Sequence, residues 1–146
     1  MFAATPPLEA VRLLLSDLAT RGRSGRGKGA RKALFIDVRK AHLHAFTARE
    51  IYVDLPPEEA EAGMCARLIR QLYGPRDAPA RWEALYTEAL ESFGFVRGRA
   101  SACCFYHKER GIHCVVHGVD FTATGPADPF NSIEETARLT YELTTE

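Results

Sequence analysis

Between residues 102 and 125 the chain reads as three short apolar segments, ACCFYH (102–107), IHCVVH (112–117) and FTATG (121–125). KERG (108–111) separates the first two, and the HGVD tip at 117–120 separates the last two. Segments of this length, joined by such short glycine-bearing connections, read as an antiparallel hairpin continued by a third strand. Alternation then assigns the faces. Cys103, His107 and Cys114 share one with Phe105, Ile112 and Val116, while Cys104, His113 and His117 share the other. Asp120, at the second tip, is either a solvated turn residue or one wall of a metal site, and the strand pattern leaves both readings open.

Helical patterns flank this meander. In LEAVRLLLSDLA, after Pro6 and Pro7, the residues Leu8, Val11, Leu14, Leu15 and Leu18 recur at helical spacing. Trp82, Leu85, Tyr86, Ala89, Leu90 and Phe93 form a second stripe over 78–93, with Gly94 placed to end it. SIEETARLTYEL (132–143) is a third, with Ser132 as candidate N-cap and Glu135 completing a capping box. ALFID (33–37), REIYVDL (49–55, stopped by Pro56 and Pro57) and CARLIRQLY (65–73) read as strands. The mixture gives an α+β class and one domain over 1–146, with Leu34, Ile36, Trp82, Leu85, Phe105, Val115 and Phe121 expected in the core.

Net charge is zero, but it is segregated along the chain. Residues 21–40 hold Arg21, Arg23, Arg26, Lys28, Arg31, Lys32, Arg39 and Lys40 against Asp37 alone, whereas 128–146 carry five acids and one base. The basic Gly/Arg-rich loop 21–32 suits phosphate-backbone contact as well as plain solvation. No apolar run is long enough to cross a bilayer and the N-terminus has no secretory pattern, so an intracellular protein without membrane contact is expected. Cys65, Cys103, Cys104 and Cys114 then read as free thiols.

Three groups of residues invite chemistry. Gly22, Gly27 and Lys28 have P-loop spacing, but Gly29 stands where a hydroxyl should hold magnesium, and the loop follows a helix and opens a strand, the reverse of a P-loop. The Cys/His set at 103–117 is divided between two faces, and neither supplies the four converging ligands of a structural zinc. Asp37 and Asp120 each end or interrupt an apolar strand and would emerge at one rim of a sheet. A hard divalent cation needs only a few such oxygens, because it keeps several waters.

Six blocks, in order, resemble the palm region of a copia-type LTR-retrotransposon reverse transcriptase. LEAVRLLLSDLA is similar to the family's LE.IRLLLA.A, FIDVRKAHLHA (35–45) to LDVK.AFLNG, and EIYVDLP (50–56) to EVYM.QP. RLIRQLYGPRDAPARW (67–82) resembles CRLKKALYGLKQAPRAW, GFVRGRASACCFYH (94–107) resembles GF..S..D.CLF, and VVHGVDFTATG (115–125) stands where the family has LLVYVDDLLITG. Any one block alone is weak; the run of six carries the likeness.

The resemblance implies a polymerase palm-like antiparallel sheet with helices packed on one face. It also implies RNA-directed DNA synthesis by two-metal phosphoryl transfer with Mg2+, on RNA/DNA template-primer and dNTPs. Carried over by position, Asp37 is the first catalytic acid and metal ligand, and Asp120 the second acid of the paired-aspartate turn. His42 takes the position that screens the sugar's 2′ side. Tyr73, Gly74 and Asp77 lie in the block that shapes the nucleotide pocket, with Leu72, Ala78, Pro79 and Trp82. Against the family pattern, the chain corresponds to the palm, with most of the fingers, the thumb and RNase H outside it. Val119 replaces the acid expected to bridge the two ions, Asp77 replaces a glutamine, and His42 replaces an aromatic. Impaired catalysis is therefore expected. The alternatives are a catalytically dead nucleic-acid-binding remnant, or a degenerate product that folds poorly.

Overall fold

The protein is described by a computed structural model that covers residues 5–21, 31–127 and 143–145. The described residues fall into two compact units, one formed by Lys40–Leu85 and the other by segments of Ala4–Arg39 and Tyr86–Glu146. Most of the basic loop, and the expected helix at 132–143 except its last residue, lie outside the described residues; Leu143 opens a strand instead.

In the larger unit, α1 (Leu8–Arg21) precedes β1 (Arg31–Val38), and the C-terminal part of α3 (Ala78–Ser92) leads into β4 (Val96–Arg97). β5 (Cys104–His107), β6 (Ile112–His117), β7 (Asp120–Pro126) and β8 (Leu143–Thr145) follow. Among the described residues these strands form one sheet in the order β4-β5-β6-β7-β1-β8, with every neighbouring pair antiparallel. An α+β class is thus what the chain adopts. The meander read from 102–125 is present as β5-β6-β7, and its register keeps the expected faces. Phe105 pairs with Cys114 and His107 with Ile112, while Cys104 pairs with Val115 and Tyr106 with His113.

The face bearing Phe105 and Phe121 is covered by α3, where Tyr86 meets both rings edge-on at centroid distances of 6.1 and 5.6 Å. Ile112, Cys114, Val116 and Ala123 are buried on the same side. Burial pushes the Cys114 thiol up to about 12, helped by the charge of Cys104, so it remains a neutral thiol at any physiological pH. α1 lies along β1 and β7, and its Asp17 pairs with Arg31 at 3.3 Å.

Of the seven residues expected in the core, Leu34, Trp82, Phe105 and Val115 are buried. Ile36, Leu85 and Phe121 are only half-buried. Ile36 and Phe121 are cross-strand partners one step from the rim, where the cover thins.

α3 ends as its glycine promised. The Phe95 amide donates to the Leu90 carbonyl at 3.0 Å and the Gly94 amide to Glu91 at 2.9 Å, the paired bonds of a Schellman cap. Gly94 has φ +88°, and a Cβ there would lie 3.1 Å from Nε2 of His107. Gly94→Ala is expected to cost about 1–2 kcal/mol from the left-handed conformation alone, with the His107 contact adding to it. A urea unfolding series checks this, and an unchanged midpoint would show that the cap contributes nothing.

The smaller unit contains α2 (Ala41–His44), β2 (Tyr52–Val53) and β3 (Ala66–Arg67). The strand segments read at 49–55 and 65–73 form ladder only at Tyr52↔Arg67 and Val53↔Ala66. Beyond it the chains stay joined by single bonds, the Leu68 amide to the Ile51 carbonyl at 2.8 Å and the Thr47 amide to Ile69 at 3.1 Å. Pro56 and Pro57 cannot donate, so the ladder has no means of extending past them. Trp82, in the N-terminal part of α3, is 2% exposed and anchors this unit.

Candidate functional site

A two-residue loop, Gly118-Val119, joins β6 to β7, because His117 pairs directly with Asp120. Gly118 has φ +65°, and Val119 is not among the residues with positive φ. Positive φ at the first central position alone is the pattern of a II′ hairpin turn, which matches the twist of the strands it connects. The sequence places glycine where the turn requires it and leaves position 119 open to ordinary side chains.

On the other side of β7 the register runs Ile36↔Phe121 and then Asp37↔Asp120. Directly opposed residues of an antiparallel pair share a face, with Cβ atoms about 4.5–5.5 Å apart. The two aspartates therefore stand side by side at one rim of the sheet, and both are exposed. The Val38 amide donates to the Val119 carbonyl at 3.3 Å, which ties the turn to the end of β1. Val119 itself is half-buried. The structure thus brings together Asp37, Asp120 and Val119. His117 adjoins Asp120 in register, yet among the described residues no three His, Cys, Asp or Glu side chains are grouped so as to hold a metal ion. The chemistry open to this rim is that of two adjacent oxygen donors.

The other residues singled out from the sequence lie in the smaller unit. The rings of His42 and Tyr73 meet edge to face at 4.8 Å, and Nδ1 of His42 is buried with no hydrogen-bond partner among the described residues. Gly74 has φ +119° and open space around it, so its role is conformational. Asp77 is engaged by its own surroundings: Oδ2 accepts from Nε2 of Gln71 at 3.4 Å, and Oδ1 lies 3.6 Å from the Arg49 guanidinium. Gln71 is fully buried, and its amide donates to the Ala45 carbonyl at 2.8 Å. Neither Gln71 nor Arg49 stood out in the sequence. A polar residue amid alternating ones carries no signal that it will be buried, and the Arg49–Asp77 pairing spans a separation that no periodicity marks.

No family model and no solved structure matches the chain. It is similar to the retrovirus-related Pol polyprotein from transposon TNT 1-94 of Nicotiana tabacum, at 28% identity over 76 residues. Those residues are 50% of this chain and 6% of that protein, so the chain spans a small part of the relative it matches. The likeness, though weak, supports a retrotransposon-related origin.

Proposed function

We propose that the chain is the palm region of a copia-type reverse transcriptase whose metal site has lost one of its three acids. The observation that carries this reading is the register Asp37↔Asp120, two carboxylates opposed at the rim beside a tight turn. Such a pair fits one hard divalent cation that keeps several waters. It does not fit a two-ion cluster, because Val119 offers no side-chain oxygen and its carbonyl already accepts from Val38. Magnesium, bound by Asp37 and Asp120, would supply charge neutralisation for a phosphate-bearing substrate. Template-primer and dNTPs belong to the proposal as the partners of that activity. The second reading, a nucleic-acid-binding remnant without turnover, is favoured by Val119 itself.

The direct test is titration of the intact chain with Mn2+ and Mg2+, followed calorimetrically, alongside primer extension on an RNA template. Asp37→Asn and Asp120→Asn are each expected to weaken Mn2+ binding by about tenfold or more, a loss near 1.4 kcal/mol. Identical titrations for the parent and both variants would remove the rim as a metal site.

A further inference from the structure

The connection from β4 to β5 gathers positive charge around a single hydroxyl. Its sequence is RGRASA (97–102), and no carboxylate occurs between Glu91 and Glu109, a stretch that also holds Lys108. The flanking strands pair at Val96↔Tyr106 and Arg97↔Phe105. Past that ladder the loop closes on itself: the Gly98 amide donates to the Cys104 carbonyl at 2.7 Å, and the Cys104 amide to the Ser101 carbonyl at 3.2 Å. Gly98 sits so close that a Cβ would come within 2.9 Å of the Ser101 carbonyl oxygen. Gly98, Arg99 and Ala100 are exposed, and Ser101 is half-buried.

Arg97 is fixed beside the serine. Its Nε donates to the Ala102 carbonyl at 2.7 Å, one residue beyond Ser101, and its guanidinium carbon lies 5.9 Å from the Phe105 ring centre. On β6 the register opposes Cys104 and Phe105 with Val115 and Cys114, so the facing strand brings no carboxylate to this end of β5. A guanidinium already held in place loses little freedom on taking up an anion, and its planar fork matches a phosphate group. The connection also lies at one end of the strand order, where segments open locally at smaller cost than the ladders inside.

We propose that Ser101 is a phosphorylation site for a protein kinase that selects substrates by arginines on the N-terminal side of the acceptor, and that Arg97 and Arg99 then hold the phosphate. The arginines stand four and two residues before Ser101, and charge patterns of this kind are what kinases read in a substrate. In the transfer, Oγ of Ser101 attacks the γ-phosphorus of ATP and the new O–P bond forms. The bond from that phosphorus to the oxygen it shares with the β-phosphate breaks, ADP leaves, and the hydroxyl proton passes to the base of the kinase. The product carries a charge of about −1.5 to −2 at neutral pH and three acceptor oxygens. Charge-assisted bonds from the two arginines then draw the loop onto the end of its ladder. The site is separate from the aspartate rim, because Asp37 and Asp120 belong to β1 and β7.

The intact chain is incubated with ATP and the catalytic subunit of cyclic-AMP-dependent protein kinase, an arginine-directed enzyme, and in parallel with a kinase that requires acids around its acceptor. Trypsin should release Ala100–Lys108, in which Ser101 is the single serine or threonine, so mass spectrometry of that peptide places the phosphate. Ser101→Ala should remove the signal from this peptide. Arg99→Ala should lower the initial rate about tenfold, the effect of one lost charge contact of about 1.4 kcal/mol. The phosphorylated parent should melt at a higher temperature than the unmodified parent, and Arg97→Ala should abolish that gain. Each variant is compared with its own unmodified form, so changes in basal stability do not enter. The proposal is overturned if no phosphate appears on Ala100–Lys108, or if the acid-directed kinase modifies Ser101 as fast. It is equally overturned if the phosphorylated parent melts no higher than the unmodified chain.

Discussion

On the palm reading proposed above, Val119→Asp is expected to raise divalent-cation-dependent primer extension on an RNA template by several powers of ten over the parent chain. The size follows from what a third carboxylate beside Asp37 and Asp120 would add to holding a divalent cation. Stabilisation of developing charge by a bound metal is worth several kcal/mol, and each 1.4 kcal/mol changes a rate about tenfold. The scaffold should accept the change. Asp37 and Asp120 are already opposed in register, and the turn demands positive φ only of Gly118.

Three neighbouring carboxylates repel one another when no cation is bound, so the metal-free variant should be slightly less stable than the parent. Mn2+ should reverse that difference, because a ligand that binds only the folded state stabilises it in proportion to the logarithm of its excess over Kd. Thermal melts with and without Mn2+ therefore report on the site even if extension stays silent. A variant whose melting temperature ignores Mn2+ would show that position 119 does not face the same ion as Asp37 and Asp120. Mn2+ binding without extension would place the remaining defect outside the acid triad.

The largest loss of stability is expected from Trp82→Ala. The indole is 2% exposed and is the largest of the fully buried side chains, with the His44 ring nearby at 6.4 Å. Truncation of a buried tryptophan typically costs about 3–5 kcal/mol, as lost transfer energy plus an unfilled cavity. Total stabilities of domains are only about 5–15 kcal/mol, so the variant should melt on the order of 10 °C lower at this chain length. Differential scanning calorimetry would decide it. A shift of only a degree or two would mean that the site collapses around alanine and that Trp82 is not the anchor of its unit. Paired with Val119→Asp, the two variants separate fold from chemistry: one should lose stability with its aspartates intact, the other gain metal affinity on an unchanged core.

What the sequence disclosed was uneven, for physical reasons. The α3 stripe, its glycine cap and the β5-β6-β7 meander were legible because they are local. Each depends on spacing within one segment and on a turn residue at its end. The pairing of Asp37 with Asp120 joins positions far apart in sequence. It could be anticipated only because both ended apolar runs, so that any pairing of those runs brought the ends together. The segments at 49–55 and 65–73 were overextended, since strand character in a sequence says nothing of where the partner stops supplying hydrogen bonds. Gln71 was invisible: burial of a polar side chain is decided by the residues that close over it.

The hairpin turn at 118–119 has a consequence for how such a chain changes over generations. Its backbone is held by the conformation of Gly118 and by the amide of Val38, neither of which involves the side chain at 119. The turn's backbone geometry therefore does not depend on what that side chain is. Valine and aspartate codons can differ by a single base, so loss and recovery of the acid are each one mutational step, taken without passing through an unfolded intermediate. On the palm reading proposed above, a chain carrying valine would stay one substitution from one carrying the acid, on a turn whose backbone is the same for both.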